Sequence, residues 1–377
     1  MTNRRIAAAI LAAAALTALA APSAQASPRG LQPELNALLD QGAGTAALAE
    51  VRDHGRVVWR GAAGSADLAT NRPARADGRF RIASVTKSFV ATVALQLAAE
   101  GHFNLDDPIE RHLPGTVPNG GAISVRQLLN HTSGLPDYLG NPNVLFHDEA
   151  GARTYVAQRR WVAYTPQKLL DVAAAMPPYF APGQGWHYSN TNYVILGMLI
   201  EHATGQSWQE EVRDRIVQPL DLRHTTIPTT STDIPGPHAH GYLKFPEGPA
   251  DVTRLSPTIG DAAGAIISTT ADLDRFHQAL FGGELLGPQQ LAEMTTTVPS
   301  PGLGGEYGLG TIRYTFSCGD FWGHLGGIPG YTTAMLGSRD GTRQFSLSLN
   351  EYDKSDREKS ERLYQALAEK ALCGTSG

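Results

Sequence analysis

The sequence predicts an α/β protein whose two chain ends build one sheet, with helices packed against it and a helical insertion in the middle. Strand-like runs open the chain at residues 45–52 and 56–60, and alternating runs close it at 307–316, 331–336 and 344–349. From about residue 107 to 241 the pattern shifts to short helical segments broken by Pro, Gly and Asn.

Taken in order, residues 31–39 read as a short helix, and Asp53-His54-Gly55 is the turn of the first hairpin. Residues 84–101 read as a buried helix: apolar Phe89, Val90, Val93, Leu95 and Leu97 alternate with small residues, and Gly101 marks the stop. Helical spacing recurs at 125–130, 192–204, 208–217 and 272–281, and a last amphipathic helix covers about 355–372. The division that follows is 27–106 with 242–377 as an α/β sheet domain and 107–241 as a helical domain. The cleft between them is the expected site.

Before that, Arg4-Arg5, an apolar run over 6–21 and Ala24-Gln25-Ala26 have the form of a secretory signal over residues 1–26. The run is shorter than the ~20 residues of a membrane span, so the expectation is a secreted protein without a stable membrane anchor. A net charge of −5 with no basic block argues against nucleic acid as a partner. Cys318 and Cys373 are the only cysteines, too few for a disulfide scaffold or a cysteine-ligated zinc site. Once exported they are expected to pair, tying the last helix to the strand region before His324.

Ser84-Val-Thr-Lys87 carries the chemistry. On a helix, positions i and i+3 share a face, so the Lys87 amine reaches the Ser84 hydroxyl. A lysine moved from water into a closed site has a lowered pKa and can activate a serine nucleophile. Alone, the pattern is weak and favours an ordinary helix cap. Tyr188-Ser-Asn190 lies in a polar loop leading into a helix, and His324-Leu-Gly326 lies in the strand-rich C-terminal part. Ser-x-x-Lys, Tyr-x-Asn and His-x-Gly occur once each, in that order. His238-Ala-His240 has no acidic or cysteine partner nearby and reads as a loop, so neither metal nor cofactor is expected. His131 reads as a brace for the turn after its helix and Ser88 as structural, while Tyr138 and Trp186 are candidates for lining the cleft.

With these motifs, the chain resembles the penicillin-recognising serine hydrolases of the class C β-lactamase type, and within them the secreted serine D-Ala-D-Ala carboxypeptidases. The resemblance extends to Leu128-Leu-Asn-His-Thr-Ser-Gly-Leu135, Ala263-Gly-Ala-Ile-Ile-Ser268, Tyr307-Gly-Leu-Gly310 and the placing of the cysteines. It implies a β-lactamase/transpeptidase-like fold, an antiparallel sheet flanked by helices plus an all-helical domain, with Ser84 at the cleft. Ser84 is then the acylated nucleophile. Tyr188, its pKa lowered beside Lys87 and His324, is the general base; Lys87 holds its charge or shares the proton. Asn190 orients Lys87 and the substrate amide. His324 stands where many relatives carry lysine and acts as a donor or electrostatic partner. The backbone N–H groups of Ser84 and Gly327 form the oxyanion hole, and Gly326 and Gly327 admit the substrate backbone.

One departure bears on substrate. Those carboxypeptidases usually follow the histidine with Thr-Gly-Thr, whereas Leu325-Gly326-Gly327 follows here. Arg313 in the neighbouring strand, or Thr332 or Thr333, is left to hold a terminal carboxylate. The resemblance implies a monomeric carboxypeptidase that trims peptidoglycan stem peptides and is acylated by β-lactams. The departure supports the alternative of an esterase, a β-lactamase or a D-amino-acid amidase acting on another small acyl substrate. A non-catalytic binder fits the intact motif residues least.

Overall fold

The computed structural model describes residues 30–351 and 357–374. The expected secretion signal at 1–26 lies outside the described residues. The first part of the chain forms α1 (Leu31–Asp40), β1 (Gly44–Asp53), β2 (Arg56–Asp67), β3 (Arg72–Pro73), β4 (Phe80–Arg81) and α2 (Thr86–Ala99). The middle carries α3 (Val125–Leu129), α4 (Glu149–Ala157), α5 (Pro166–Ala174), α6 (Asn190–Thr204) and α7 (Trp208–Val212). There follow β5 (Tyr242–Phe245), β6 (Gly248–Asp251), β7 (Ile267–Ser268), α8 (Thr270–Phe281) and α9 (Pro288–Met294). The chain closes with β8 (Val298–Pro299), β9 (Glu306–Tyr307), β10 (Ile312–Phe316), β11 (Gly319–Ile328), β12 (Tyr331–Ser338), β13 (Arg343–Glu351) and α10 (Arg357–Cys373).

The main sheet runs β3-β2-β1-β13-β12-β11-β10-β9-β8, with antiparallel neighbours throughout. First and last strands of the chain meet at the β1–β13 seam, as the α/β reading expects. Alternation along β1 sorts its side chains into two layers. Ala47, Ala49 and Val51 pack with Leu31, Leu35 and Leu38 of α1 and with Leu367 and Ala371 of α10. Leu48 points the other way, into a larger core shared with α2, α6 and α8, where Phe89 stacks on Phe276 at 3.7 Å between ring centroids. Each fully buried leucine or phenylalanine stabilises these layers by about 1.5–3 kcal/mol. Because one core runs through α2 and α6, the helical middle is packed onto the sheet, and their meeting line is where the motif residues fall.

The structure departs from the sequence reading at several points. Residues 307–316 do not form one strand: the chain turns at Gly310, whose φ of 74° suits glycine and where a Cβ would lie 2.4 Å from Ala91. The helix expected over 208–217 widens to a π turn, Arg213–Val217. A ten-residue strand, β11, runs through Gly319–Ile328, a glycine-rich stretch that the sequence placed in the strand-rich C-terminal part without bounds. The expected Cys318–Cys373 disulfide is present and pins the end of α10 to the β10–β11 turn, closing a sequence separation of 55 residues. Replacing both cysteines by serine is expected to cost about 2–4 kcal/mol. Denaturant midpoints of the two proteins check this, and equal midpoints would contradict it.

Candidate active site

Ser84 lies in a single 3-10 turn, Ala83–Val85, between β4 and α2. The turn is strained: Ala83 has φ of 47°, a left-handed conformation that its β-carbon opposes. It is held by Ile82 N–H donating to the Ile266 carbonyl at 3.0 Å and Val85 N–H to the Ile82 carbonyl at 3.1 Å. His131 (φ 63°) and Asp261 (φ 41°) are strained as well, and both sit on segments that face the same cleft. Such strain concentrates where geometry serves function.

Lys87, the second residue of α2, is fully buried. Its Nζ lies 3.1 Å from Ser84 Oγ, 2.7 Å from Asn190 Oδ1 and 2.8 Å from the Ala263 carbonyl oxygen. Burial pulls its pKa down to about 7, opposed in part by the charge of Asp137. The two carbonyl partners only accept. A neutral amine therefore spends both N–H bonds on them and turns its lone pair to the Ser84 hydroxyl.

Tyr188 is placed differently from the expectation of a lowered pKa. Burial raises its pKa well above that of a free phenol, with Ser84 easing the shift. Its Oη completes no hydrogen bond, although Ser84 is its polar neighbour, and the Lys87 ammonium sits 4.9 Å from its ring centroid. At neutral pH Tyr188 is thus a protonated phenol, and the group that titrates near neutrality is Lys87.

His324 is also constrained. Its Nε2 meets Tyr307 Oη at 2.9 Å, and its Nδ1 faces the Leu325 carbonyl. The carbonyl requires the proton on Nδ1, so Nε2 accepts from Tyr307. Burial, with Lys87 nearby, lowers its pKa to about 3. It is a neutral ring with both nitrogens engaged, not a charged partner.

Beyond Gly323, β11 loses its β10 neighbour, so Leu325 to Gly327 offers an open backbone edge beside the Ser84 turn. Contact is tight: a Cβ on Gly326 would lie 2.2 Å from the Ile82 oxygen and 3.1 Å from Ser84 N. Gly327 is exposed, with nothing within 4 Å of its Cβ position.

The cleft, about 710 Å³, takes in Ser84, Tyr188, Asn190, His324, Gly326 and Gly327, and extends over β11 into a groove beneath α10. Leu139, Leu145, Phe146 and Ile259 give it an apolar wall. Tyr138 lends its ring to that wall, but its hydroxyl is spent on the Ile259 carbonyl at 2.7 Å.

Two expected substrate contacts are not brought to the cleft. Trp186 packs against His131 and Tyr307 behind Tyr188. Arg313 is drawn away by Glu306, at 2.5 Å, and Asp320, at 3.8 Å, because its strand neighbours Ile312 and Tyr314 take the cleft-facing positions. The threonines are also engaged. Thr332 donates to Glu351 at 3.1 Å, and buried Thr333 donates to the Arg81 carbonyl at 3.2 Å. Among the described residues lining the cleft there is no Lys or Arg side chain, and the one carboxylate is Glu351.

Sequence reasoning missed three contributors. Tyr307 was visible only as part of a motif, Asp137 only as a cap-forming Asp after Pro136, and Ala263 acts through a backbone carbonyl that no side chain advertises. Among the described residues no His, Cys, Asp and Glu cluster could hold a metal, and no helix is long and apolar enough to cross a membrane.

Comparison with known proteins gives this geometry a family. A family model described as Beta-lactamase matches residues 31–370. The chain is 30% identical over 299 residues to penicillin-binding protein 4* of Bacillus subtilis, covering 75% of this chain and 63% of that protein's length. It is 32% identical over 287 residues to esterase EstB of Burkholderia gladioli, covering 64% of this chain and 72% of the esterase. A D-stereospecific amidohydrolase from Streptomyces superposes with a TM-score of 0.81 at 39% identity, covering 92% of this chain and 98% of that one. The chain belongs to the Beta-lactamase family, the serine hydrolases of the β-lactamase/transpeptidase superfamily, whose α/β fold with a large antiparallel sheet flanked by helices it shares.

Proposed function

We propose that this protein hydrolyses amides or esters of small, apolar acyl groups that lack a terminal carboxylate, D-amino-acid amides among them, through an acyl-enzyme on Ser84. The observation that carries the choice of substrate is the cleft lining. With Arg313, Thr332 and Thr333 engaged elsewhere, the described cleft lining offers no Lys or Arg cation for a terminal carboxylate. A carboxypeptidase or a β-lactamase must hold such a carboxylate, whereas an amide or ester has none to hold. The apolar wall of Leu139, Leu145, Phe146 and Ile259 suits the acyl side chain. The D-configuration is suggested by the likeness to the Streptomyces amidohydrolase.

In this reading neutral Lys87 takes the Ser84 proton as Oγ attacks the carbonyl carbon, 3.1 Å being hydrogen-bond reach. The Ser84 and Gly327 N–H groups receive the oxyanion on the open edge of β11. Tyr188, protonated and uncommitted, gives its proton to the departing nitrogen or oxygen and regains one from Lys87. Water then enters by the reverse proton path, the ester to Ser84 breaks, and free acid leaves. Tyr188 is therefore the acid, not the base expected from the sequence.

Substrate comparison tests this. D-phenylalanine amide and p-nitrophenyl butyrate should be turned over at least about tenfold faster than diacyl-Lys-D-Ala-D-Ala, a carboxylate anchor being worth roughly 1.5–3 kcal/mol. Faster release of D-Ala from the peptide would restore the D-Ala-D-Ala carboxypeptidase reading that the motifs suggested. Rapid consumption of benzylpenicillin would point to a β-lactamase instead.

A further inference from the structure

Behind Asn190, on the side away from the cleft, sits a carboxylate with no part in the mechanism above. Asp137 caps the 3-10 turn Tyr138–Gly140, its Oδ1 accepting from Leu139 N–H at 3.1 Å. Its Oδ2 accepts from Asn190 Nδ2 at 2.9 Å. The segment is stitched to the start of α6 on either side. Thr191 Oγ1 donates to the Pro136 carbonyl at 2.6 Å and accepts from Tyr138 N–H at 3.2 Å. Asp137 N–H donates to Tyr179 Oη at 3.2 Å.

An asparagine amide has two ends of nearly equal shape and opposite polarity. Nothing at Lys87 alone fixes which end it meets, since an amine both donates and accepts. The carboxylate does fix it: burial raises its pKa, but the N–H bonds it accepts from Leu139 and Asn190 and the nearby Lys87 favour the ionised form, which only accepts. We propose that Asp137 is a positioning residue of the acyl-transfer site: it holds the Asn190 amide with Oδ1 toward Lys87, and so aims the Lys87 lone pair at the Ser84 hydroxyl. This rests on the reading of Lys87 as the base.

With the amide reversed, an N–H donor would face Lys87. A neutral amine would then spend its lone pair on Asn190 and leave Ser84 without an acceptor. The electrostatics favour the same assignment. Around Lys87 stand Tyr188 and Tyr193, with ring centroids at 4.9 and 5.4 Å, and His131 and His324. Burial keeps these phenols protonated and these imidazoles neutral. Asp261, on the turn that supplies the Ala263 carbonyl, is bonded to the Trp208 indole at 2.9 Å. Asp137 is the carboxylate whose charge opposes deprotonation of Lys87.

Asp137→Asn keeps the shape and the acceptor for Leu139 N–H, but allows the Asn190 amide to reverse. The readout is the pH profile of kcat/KM for p-nitrophenyl butyrate, whose acid limb reports the free enzyme. We expect a fall of about 10²-fold and an acid limb moved to lower pH. The lost negative charge and the new donor both disfavour the Lys87 ammonium, so the two effects share a sign. In Asp137→Asn/Asn190→Asp an acceptor faces Lys87 again, now charged. That protein should recover about tenfold over the single variant at pH 9, with an acid limb above the native one. Activity of Asp137→Asn within twofold of native, or a loss with the limb unmoved, would overturn the proposal. Should the single variant not fold, a limb at or below native in the double variant overturns it. Ser84→Ala separates the two levels: if it stays active, the underlying reading fails, and if it is inactive while Asp137→Asn is native-like, only this inference does.

Discussion

Ser84→Ala will lower kcat/KM for p-nitrophenyl butyrate by at least about 10⁴-fold, with a melting temperature within about 2 °C of native. The size follows from the site's division of labour. Removing Oγ removes the atom that forms the acyl bond, and no second hydroxyl stands in its place. Ser88, one turn on, is buried and donates to the Gly310 carbonyl at 2.7 Å. What survives is the oxyanion edge and the apolar wall, which leave a small residual rate over water. Stability should hardly change, because Ser84 is only partly buried and its hydroxyl lies between Lys87 and Tyr188 without anchoring any core element. Parallel melting curves and rates check both halves, and retained activity would remove Ser84 from the account.

Lys87→Met will cost about 10³-fold or more in kcat/KM and will abolish the acid limb near pH 7 that the native enzyme should show. Methionine keeps the length and the burial but has no lone pair to take the serine proton. The same substitution carries a stability signature. The folded pKa of Lys87, about 7, lies below its ordinary 10.5, so burial of the ammonium costs about 5 kcal/mol where both folded and unfolded chains hold the proton, below pH 7. Between these values the unfolded chain holds more protons than the folded one, so native stability rises with pH. Lys87→Met lacks this slope. Denaturant midpoints at pH 6 and 9 should therefore show the native protein gaining on the variant as pH rises. Parallel trends would mean that Lys87 is not perturbed in the fold.

Much of this was legible in the sequence where one local rule dominated. The hairpin at 53–55 was marked by His54-Gly55, which take φ of 48° and 74°, and the buried α2 by its unbroken apolar and small residues. β2 continues well past residue 60: Gly61 to Gly64 pair with β1 and Ser65 and Asp67 with β3, without the β-branched residues that signal a strand. The bounds of β11 were hidden for the same reason, and α5 and α9 because each starts at a proline that reads equally well as a breaker.

At the site, the motifs placed Ser84, Lys87, Tyr188, Asn190 and His324 together, since spacing and residue type encode reach. Their protonation was not legible. Whether Tyr188 or Lys87 is the base depends on burial and on which acceptors surround the amine, and one of those is the Ala263 carbonyl. Arg313 failed as a substrate contact because strand parity at β10 turned it toward Glu306 and Asp320.

The most direct test of the central claim, a Ser84 acyl-enzyme formed with neutral Lys87 as base, is the pre-steady-state acylation of the native protein. Enzyme mixed with excess p-nitrophenyl butyrate between pH 5 and 9 is quenched in acid, digested and mapped by mass. A butyryl group is expected on the peptide carrying Ser84, formed at a rate that rises through about pH 7. Acyl transfer to another residue, or a burst whose rate does not change across that range, would contradict it.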